Sequence, residues 1–264
     1  MGTARPPYPR PVPLRTLVAV LVLLLLLRAG RVAWRQRALL RAVWAAISWR
    51  HLLGSVGLLA VVVLTAGVLL ATIPGMGLGL GSLLGTHGNA VFTPLEEGLA
   101  LTGPAPVTGP DWPLLVGATL FLGLLTLLLP WLAFVEEELF RAGLEVASWP
   151  RVIVASTVFG LVHLVMLVPL AAALAIGVAG FGYAVIYRRA HAEVRPTPTV
   201  ARAAYHPTRR ADHAATRAVE DPWAAVVWRD AQAAGVFHAA VWHTTVNTLI
   251  VVVVWLSIVA IALG

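Results

Sequence analysis

The stretch that decides the fold is VEEELFR (residues 135–141), which directly follows an apolar run from Pro113 to Val135. A helical run of this length can cross a bilayer, because about 20 mostly apolar residues are enough. An ionisable side chain at the centre of a bilayer costs about 2.5–3.5 kcal/mol, so such groups are usually paired and functional. The alternative is a charged cap at the end of a transmembrane helix.

Helical spacing gives the charged residues of this stretch different roles. Glu137 and Arg141 are four residues apart and can form an ion pair, with Glu145 one turn further along the same stripe. Glu136 lies about 100° around the helix from Glu137 and is therefore free to point elsewhere.

The composition excludes a soluble protein. The chain has 264 residues, of which 59% are hydrophobic and 12% charged, and its mean hydropathy is +0.85; soluble domains have about 25% charged residues. The apolar runs lack the alternation of barrel strands, which indicates helical spans. The net charge of +7 comes with arginines that flank apolar runs, so a membrane surface explains it and nucleic acid is not expected as a partner. Without cysteine, disulfides and thiol chemistry are excluded.

We therefore expect an all-α, polytopic membrane helical bundle of about 6–7 helices with a four-helix catalytic core. Three parts follow one another: an N-terminal tail, short anchor and interfacial amphipathic helix (1–50), a transmembrane helix with a non-cytoplasmic loop (51–112), and the catalytic core (113–264), which includes a flexible cytoplasmic loop at 188–230. The clear spans are Leu52–Ile73, Pro113–Ala147, Arg151–Leu167, Leu170–Tyr187 and Gln232–Leu263. Glycines at positions 177, 180 and 182 permit close helix packing.

The N-terminal region leaves one alternative open. Residues 16–27 are apolar and flanked by arginines, which favours an uncleaved anchor that either spans the membrane or does not. Residues 31–51 alternate arginine with tryptophan and leucine, as in an interfacial amphipathic helix. By the positive-inside rule, the basic segments 28–51 and 188–230 lie inside and the loop 74–112 outside. We expect an integral protein of a prokaryotic plasma membrane with the carboxylate motif toward the cytoplasm.

Two further polar pairs lie within apolar spans. Phe159 and His163 are four residues apart in one, and His243 and Asn247 in another. A lone histidine in an apolar helix is more often a packing residue, but here several polar groups lie on three helices. Glu136, His163 and His243 have the residue types of a two-histidine, one-glutamate metal site, or of a general base with imidazole partners. Asn247 could donate to an oxyanion. The zinc helix HExxH, the GxSxG elbow and GxGxxG do not occur.

The motifs Glu136-Glu137-x-x-x-Arg141, Phe159-x-x-x-His163 and His243-x-x-x-Asn247 resemble those of the CPBP family, the Abi or type II CAAX-protease family of intramembrane endopeptidases. The resemblance covers about residues 113–187 and 232–260. It implies a water-activating role for Glu136 with His163, oxyanion stabilisation by His243 and Asn247, and a supporting ion pair between Glu137 and Arg141, with Phe159 as a further supporting residue. It also implies a membrane-anchored or lipidated protein substrate and leaves open whether a divalent metal, zinc first, binds Glu136, His163 and His243.

Two readings from other classes remain. One is a non-catalytic membrane scaffold or bacteriocin self-immunity protein with the same fold. The other is a small transporter, because intramembrane Glu and His also form proton relays. No inverted repeat of the kind common in transporters is evident.

Overall fold

The computed structural model describes residues 14–83, 111–194 and 222–263. These residues form α-helices and one 3₁₀ turn, with no strand among them, which confirms the all-α prediction. The helices are α1 (Leu14–Arg35), α2 (Arg37–Ala46), α3 (Trp49–Thr72), α4 (Leu80–Leu83), α5 (Trp112–Arg141), α6 (Trp149–Val162), α7 (Leu170–Val194) and α8 (Pro222–Leu263). The 3₁₀ turn, His163–Met166, continues from α6.

Five segments are long and apolar enough to cross a membrane, which makes this an integral membrane protein. They are α3, α5, α6 with its 3₁₀ turn, α7 and the part of α8 from Asp230 to Leu263. All the spans expected from the sequence are present as helices, with shifted ends. Both ends of the expected loop 188–230 are helical, because α7 continues to Val194 and α8 already begins at Pro222; residues 195–221 lie outside the described residues. So do 1–13 of the N-terminal tail and 84–110 of the expected outer loop.

The prediction of one amphipathic helix over residues 31–51 is wrong. The chain breaks at Gln36 and again at Ile47, and α2 is the short amphipathic piece between the breaks. α2 buries Val43 fully and exposes its arginines. The anchor at 16–27 lies within α1, whose Leu26 packs in one cluster with residues of α5 and α8.

The prediction that the carboxylate helix runs to Ala147 is also wrong, because α5 ends at Arg141. Gly143 has a φ of +93°, the left-handed conformation that commonly ends helices. Glu145 lies in the following turn and not on the stripe of Glu137 and Arg141. At its other end α5 is capped by Asp111, whose Oδ1 accepts from the Leu114 N–H at 3.0 Å.

The catalytic core expected from the sequence corresponds to α5–α8. α8 packs on α5 and α7, and α6 packs on α7. Gly160 and Gly177 let the α6 and α7 backbones meet, because a Cβ at Gly160 would overlap the Ala173 carbonyl oxygen. Gly180 lies against Phe159, whereas Gly182 faces Leu58 of α3.

Candidate active site

Glu136 faces two histidines from two other helices. Its Oε2 lies 3.9 Å from Nε2 of His163, at the end of α6, and 3.8 Å from Nε2 of His243 on α8. That oxygen is buried and has no hydrogen-bond partner among the described residues, although the Glu136 side chain as a whole is 37% exposed. All three residues belong to candidate membrane spans. The structure thus brings together the glutamate and the two histidines that the sequence singled out.

The end of α6 fixes the tautomer of His163. The His163 backbone N–H is directed to the carbonyl of Gly160, where the helix tightens into its 3₁₀ turn. The Phe159 carbonyl oxygen lies 2.8 Å from His163 Nδ1. A carbonyl oxygen can only accept, so Nδ1 carries the hydrogen and the neutral ring presents a lone pair at Nε2. The motif Phe159-x-x-x-His163 therefore acts through a main-chain oxygen as well as through the Phe159 ring.

Glu137 fixes the orientation of His243. Its Oε1 accepts from His243 Nδ1 at 2.9 Å, and its Oε2 accepts from Arg141 Nε at 2.8 Å. Glu137 and Arg141 are both fully buried. The ion pair predicted from the spacing is confirmed, and its carboxylate also orients the second histidine, as carboxylates orient metal-ligating or catalytic imidazoles elsewhere.

Aromatic rings close the site from the side of α6 and α7. The Phe159 ring lies under the Arg141 guanidinium at 4.6 Å and meets the rings of both histidines edge-on. Tyr183 stacks on His243 with 4.7 Å between ring centroids and 18° between planes. Phe159 lies three residues before the end of α6, and Tyr183 lies near the middle of α7, so the site is formed where the end of α6 meets the middle of α7.

Three acceptor atoms therefore face one another. With neutral rings, Nε2 of both histidines and Oε2 of Glu136 offer lone pairs and no hydrogen. Unpaired acceptors are costly in a membrane interior. This arrangement is suited to a water molecule, a proton or a cation.

The donor set agrees with a metal in type but not fully in spacing. Two ligands of a tetrahedral zinc lie about 3.3–3.5 Å apart at bond lengths of ~2.0–2.2 Å, whereas Glu136 lies 3.8 and 3.9 Å from the two imidazole nitrogens. As the side chains stand, no group of three or more His, Asp or Glu in the described residues forms a metal site. Two imidazole nitrogens and one unpartnered carboxylate oxygen still fit a three-ligand site, given small side-chain rotations.

Two residues of the motifs stand apart from this centre. Asn247 is half-buried one turn beyond His243 on α8, and its side chain makes no hydrogen bond within the described parts of the chain. Glu138, the third carboxylate of the motif, is exposed.

Sequence reasoning missed Tyr183 as a partner of His243, and it also missed a second polar cluster. Glu145 accepts hydrogen bonds from the Tyr187 hydroxyl and from Gln232 Nε2, both at 2.6 Å. The available signal was the four-residue spacing of Tyr183 and Tyr187, which places both rings on one face of α7.

No protein-family model, curated protein or solved structure matches the chain.

Proposed function

We propose that the protein is an intramembrane endopeptidase that hydrolyses a peptide bond of a membrane-anchored or lipidated protein. The observation that carries this proposal is the convergence of Glu136 Oε2 with Nε2 of His163 and of His243 on candidate membrane spans. A carboxylate and an imidazole with a fixed lone pair are the groups that a general-base hydrolase needs. The motif resemblance to the CPBP family supports the same reading.

In the proposed reaction, Glu136 and His163 hold a water by accepting its hydrogens. The water oxygen attacks the carbonyl carbon of the scissile bond while its proton moves to Glu136. Glu136 then delivers that proton to the amide nitrogen as the carbon–nitrogen bond breaks. The products are one new carboxyl group and one new amine.

His243 and Asn247 are assigned to the oxyanion. The amide of Asn247 can donate directly, and its free hydrogen-bonding capacity in the described structure is consistent with that use. His243 can donate from Nε2 only as an imidazolium, since Nδ1 is already committed to Glu137. The carboxylates of Glu136 and Glu137 on either side balance the charge of that form.

A divalent metal, zinc in the first place, would be held by Glu136, His163 and His243. When bound, it would supply Lewis-acid polarisation and a more acidic water. The Phe159 carbonyl and Glu137 would orient the two imidazoles through their Nδ1 atoms in either case.

The surroundings of the site favour a membrane-embedded substrate. Val135 and Leu139 beside Glu136 are 40% and 67% exposed, and Val162 beside His163 is 45% exposed. Apolar side chains exposed at this level of a membrane helix contact lipid or a lipid-like partner. We further propose that the protein resides in a prokaryotic plasma membrane, with the carboxylate motif on the cytoplasmic side.

The test compares Glu136→Gln with Glu138→Gln in purified protein reconstituted in lipid. Both variants replace a carboxylate by an isosteric amide on α5, but Glu138 is exposed and outside the site. On a panel of transmembrane and lipidated peptides, we expect Glu136→Gln to lose at least about 100-fold in kcat, as removal of a general base does. Glu138→Gln should cleave like the wild type. Elemental analysis of the same samples separates a metal-bound water from one activated by Glu136 and His163 alone.

Full cleavage by Glu136→Gln would refute the peptidase. So would a wild-type protein that cleaves none of the peptides while staying folded, and the non-catalytic scaffold or self-immunity reading would then take its place. Proteoliposome ion flux that depends on Glu136 would instead establish the transporter reading.

A further inference from the structure

A second carboxylate, half-buried, lies in the turn that follows α5, outside the site described above. Glu145 accepts three hydrogen bonds: from the Gly143 N–H at 2.9 Å, the Tyr187 hydroxyl at 2.6 Å and Gln232 Nε2 at 2.6 Å. These donors belong to its own turn, to α7 and to α8. One side chain thus joins three separate segments of the core.

α7 and α8 meet again at the site, this time together with α5, the helix that the turn of Glu145 follows. Glu137 of α5 bonds His243 of α8, and Tyr183 of α7 stacks on that histidine. Gln232 precedes His243 on the same face of α8 by roughly three helical turns. At the Glu145 cluster, as at His243, a glutamate and a tyrosine of α7 therefore contact a side chain of α8, about three turns of α8 away from the site.

α8 approaches α7 closely beside the Glu145 cluster, where Gly235 meets Tyr187. Tyr187 is fully buried, and Gly235 of α8 packs against its ring. A Cβ at Gly235 would be 2.7 Å from Tyr187 Cδ2 and 3.0 Å from the Tyr187 carbonyl oxygen. The position of α8 at this level is therefore tightly constrained by one tyrosine.

Toward the far end, α8 is tied to α5 by two more hydrogen bonds. The Asp111 N–H donates to the Ala262 carbonyl at 2.9 Å, and Trp255 Nε1 donates to Thr119 Oγ1 at 3.0 Å. His243 lies between those ties and Gln232. A helix held on both sides of a residue cannot slide or rotate there without breaking one of the ties.

We propose that Glu145, Tyr187 and Gln232 form a positioning clamp that sets the placement of α8 and thereby keeps His243 Nδ1 within hydrogen-bond reach of Glu137. The effect of the clamp on catalysis rests on the proposed peptidase function. Its effect on the position of the His243 ring does not. The clamp contacts neither the Glu136 carboxylate nor His163. Its effect on the reaction passes through the orientation of His243, and displacements of about 1 Å are enough to cost 100-fold in rate.

The experiment reads the His243 ring directly. Protein labelled with ¹⁵N-histidine is placed in detergent micelles, and the ring nitrogen signals of His243 are assigned from their absence in His243→Gln. In the wild type we expect one fixed state with hydrogen on Nδ1. In Tyr187→Phe, which removes only a hydroxyl group, and in Glu145→Gln we expect the His243 signals to shift or broaden while those of His163 stay in place.

Activity provides the second readout. We expect kcat to fall about 10-fold in either variant with KM unchanged, as for loss of a group that orients a reactive side chain. The double variant should be no slower than the slower single variant, because both break one unit. The matched control is Glu138→Gln, which makes the same change as Glu145→Gln at an exposed residue and should alter neither readout.

Unchanged His243 signals in both Tyr187→Phe and Glu145→Gln would overturn the clamp. A rise in KM with constant kcat would also overturn it, because that result indicates substrate contact. The two proposals can fail separately. If the wild type cleaves no peptide but the His243 signals still shift in Tyr187→Phe and Glu145→Gln, the clamp is upheld and the peptidase is refuted.

Discussion

Glu137 accepts a hydrogen bond from His243 Nδ1 at 2.9 Å with one carboxylate oxygen and holds Arg141 Nε at 2.8 Å with the other. Glu137 and Arg141 have no exposed surface and His243 is 5% exposed. The glutamate thus balances a buried guanidinium and orients an imidazole from another helix at the same time. Its contribution to stability, through Arg141, and its contribution to function, through His243, can therefore be measured separately by comparing a single and a double variant.

Glu137→Gln should both destabilise and inactivate the protein. It leaves the Arg141 charge buried without its partner, and breaking a buried pair on one side costs about 3–5 kcal/mol. It also replaces the acceptor of His243 by an amide that can turn either way. Thermal unfolding in detergent and peptide cleavage measure the two effects.

The double change Glu137→Met with Arg141→Met provides the control. Removing both charges is often nearly neutral for stability, so the unfolding temperature should return toward that of the wild type while cleavage stays lost. Recovered cleavage in this variant would show that Glu137 serves the ion pair alone.

His163→Ala should abolish cleavage with little loss of stability. Among the described residues, its ring hydrogen-bonds to the Phe159 carbonyl oxygen of its own helix, so the change breaks no hydrogen bond between helices and leaves no buried charge unpaired. We expect a drop in kcat of at least about 100-fold and an unfolding temperature close to the wild type. His238→Ala, an exposed histidine of α8, is the matched control and should retain full activity. Equal losses in the two variants would exclude a specific role for His163.

The helices were predictable because their apolar runs are long and end in arginine, glycine or proline. Their ends were less so. Residues 142–147 carry no proline, and only the left-handed Gly143 with its Glu145 contact ends α5. α7 and α8 extend into segments whose arginines and histidines look like a loop, because helices can project beyond the apolar run that identifies them.

The site was predictable in its residue types and only partly in its geometry. Helical spacing gave the Glu137–Arg141 pair, since both lie on one helix. The bonds from Glu137 to His243 and from Glu145 to Gln232 join residues far apart in sequence, and no local period encodes them. The role of the Phe159 carbonyl also depended on the 3₁₀ turn after α6, which the sequence did not indicate.

Tyr183→Leu should slow the reaction, whereas Tyr183→Phe should not. The stacked ring restrains the His243 plane, and aromatic stacking contributes about 1 kcal/mol, so loss of the ring should lower kcat by roughly 3–10-fold. Tyr183→Phe keeps the ring and should cleave like the wild type. Steady-state kinetics with one peptide measures both, and a slow Tyr183→Phe would assign the role to the hydroxyl group.

Gly160→Ala should disrupt the core, and Gly123→Ala should not. A methyl group at Gly160 overlaps the Ala173 carbonyl oxygen and lies 2.5 Å from the Gly177 nitrogen, so the α6 and α7 backbones must separate. Overpacking of this kind costs about 1–3 kcal/mol or more, and it moves Phe159 and His163 away from Glu136. A Cβ at Gly123 on α5 would meet no other described residue within 4 Å beyond its own helix backbone, so the alanine variant should gain about 0.5–1 kcal/mol from helix propensity. Unfolding temperature and cleavage are measured side by side, and a Gly160→Ala protein as stable and active as Gly123→Ala would contradict the close contact of the two helices.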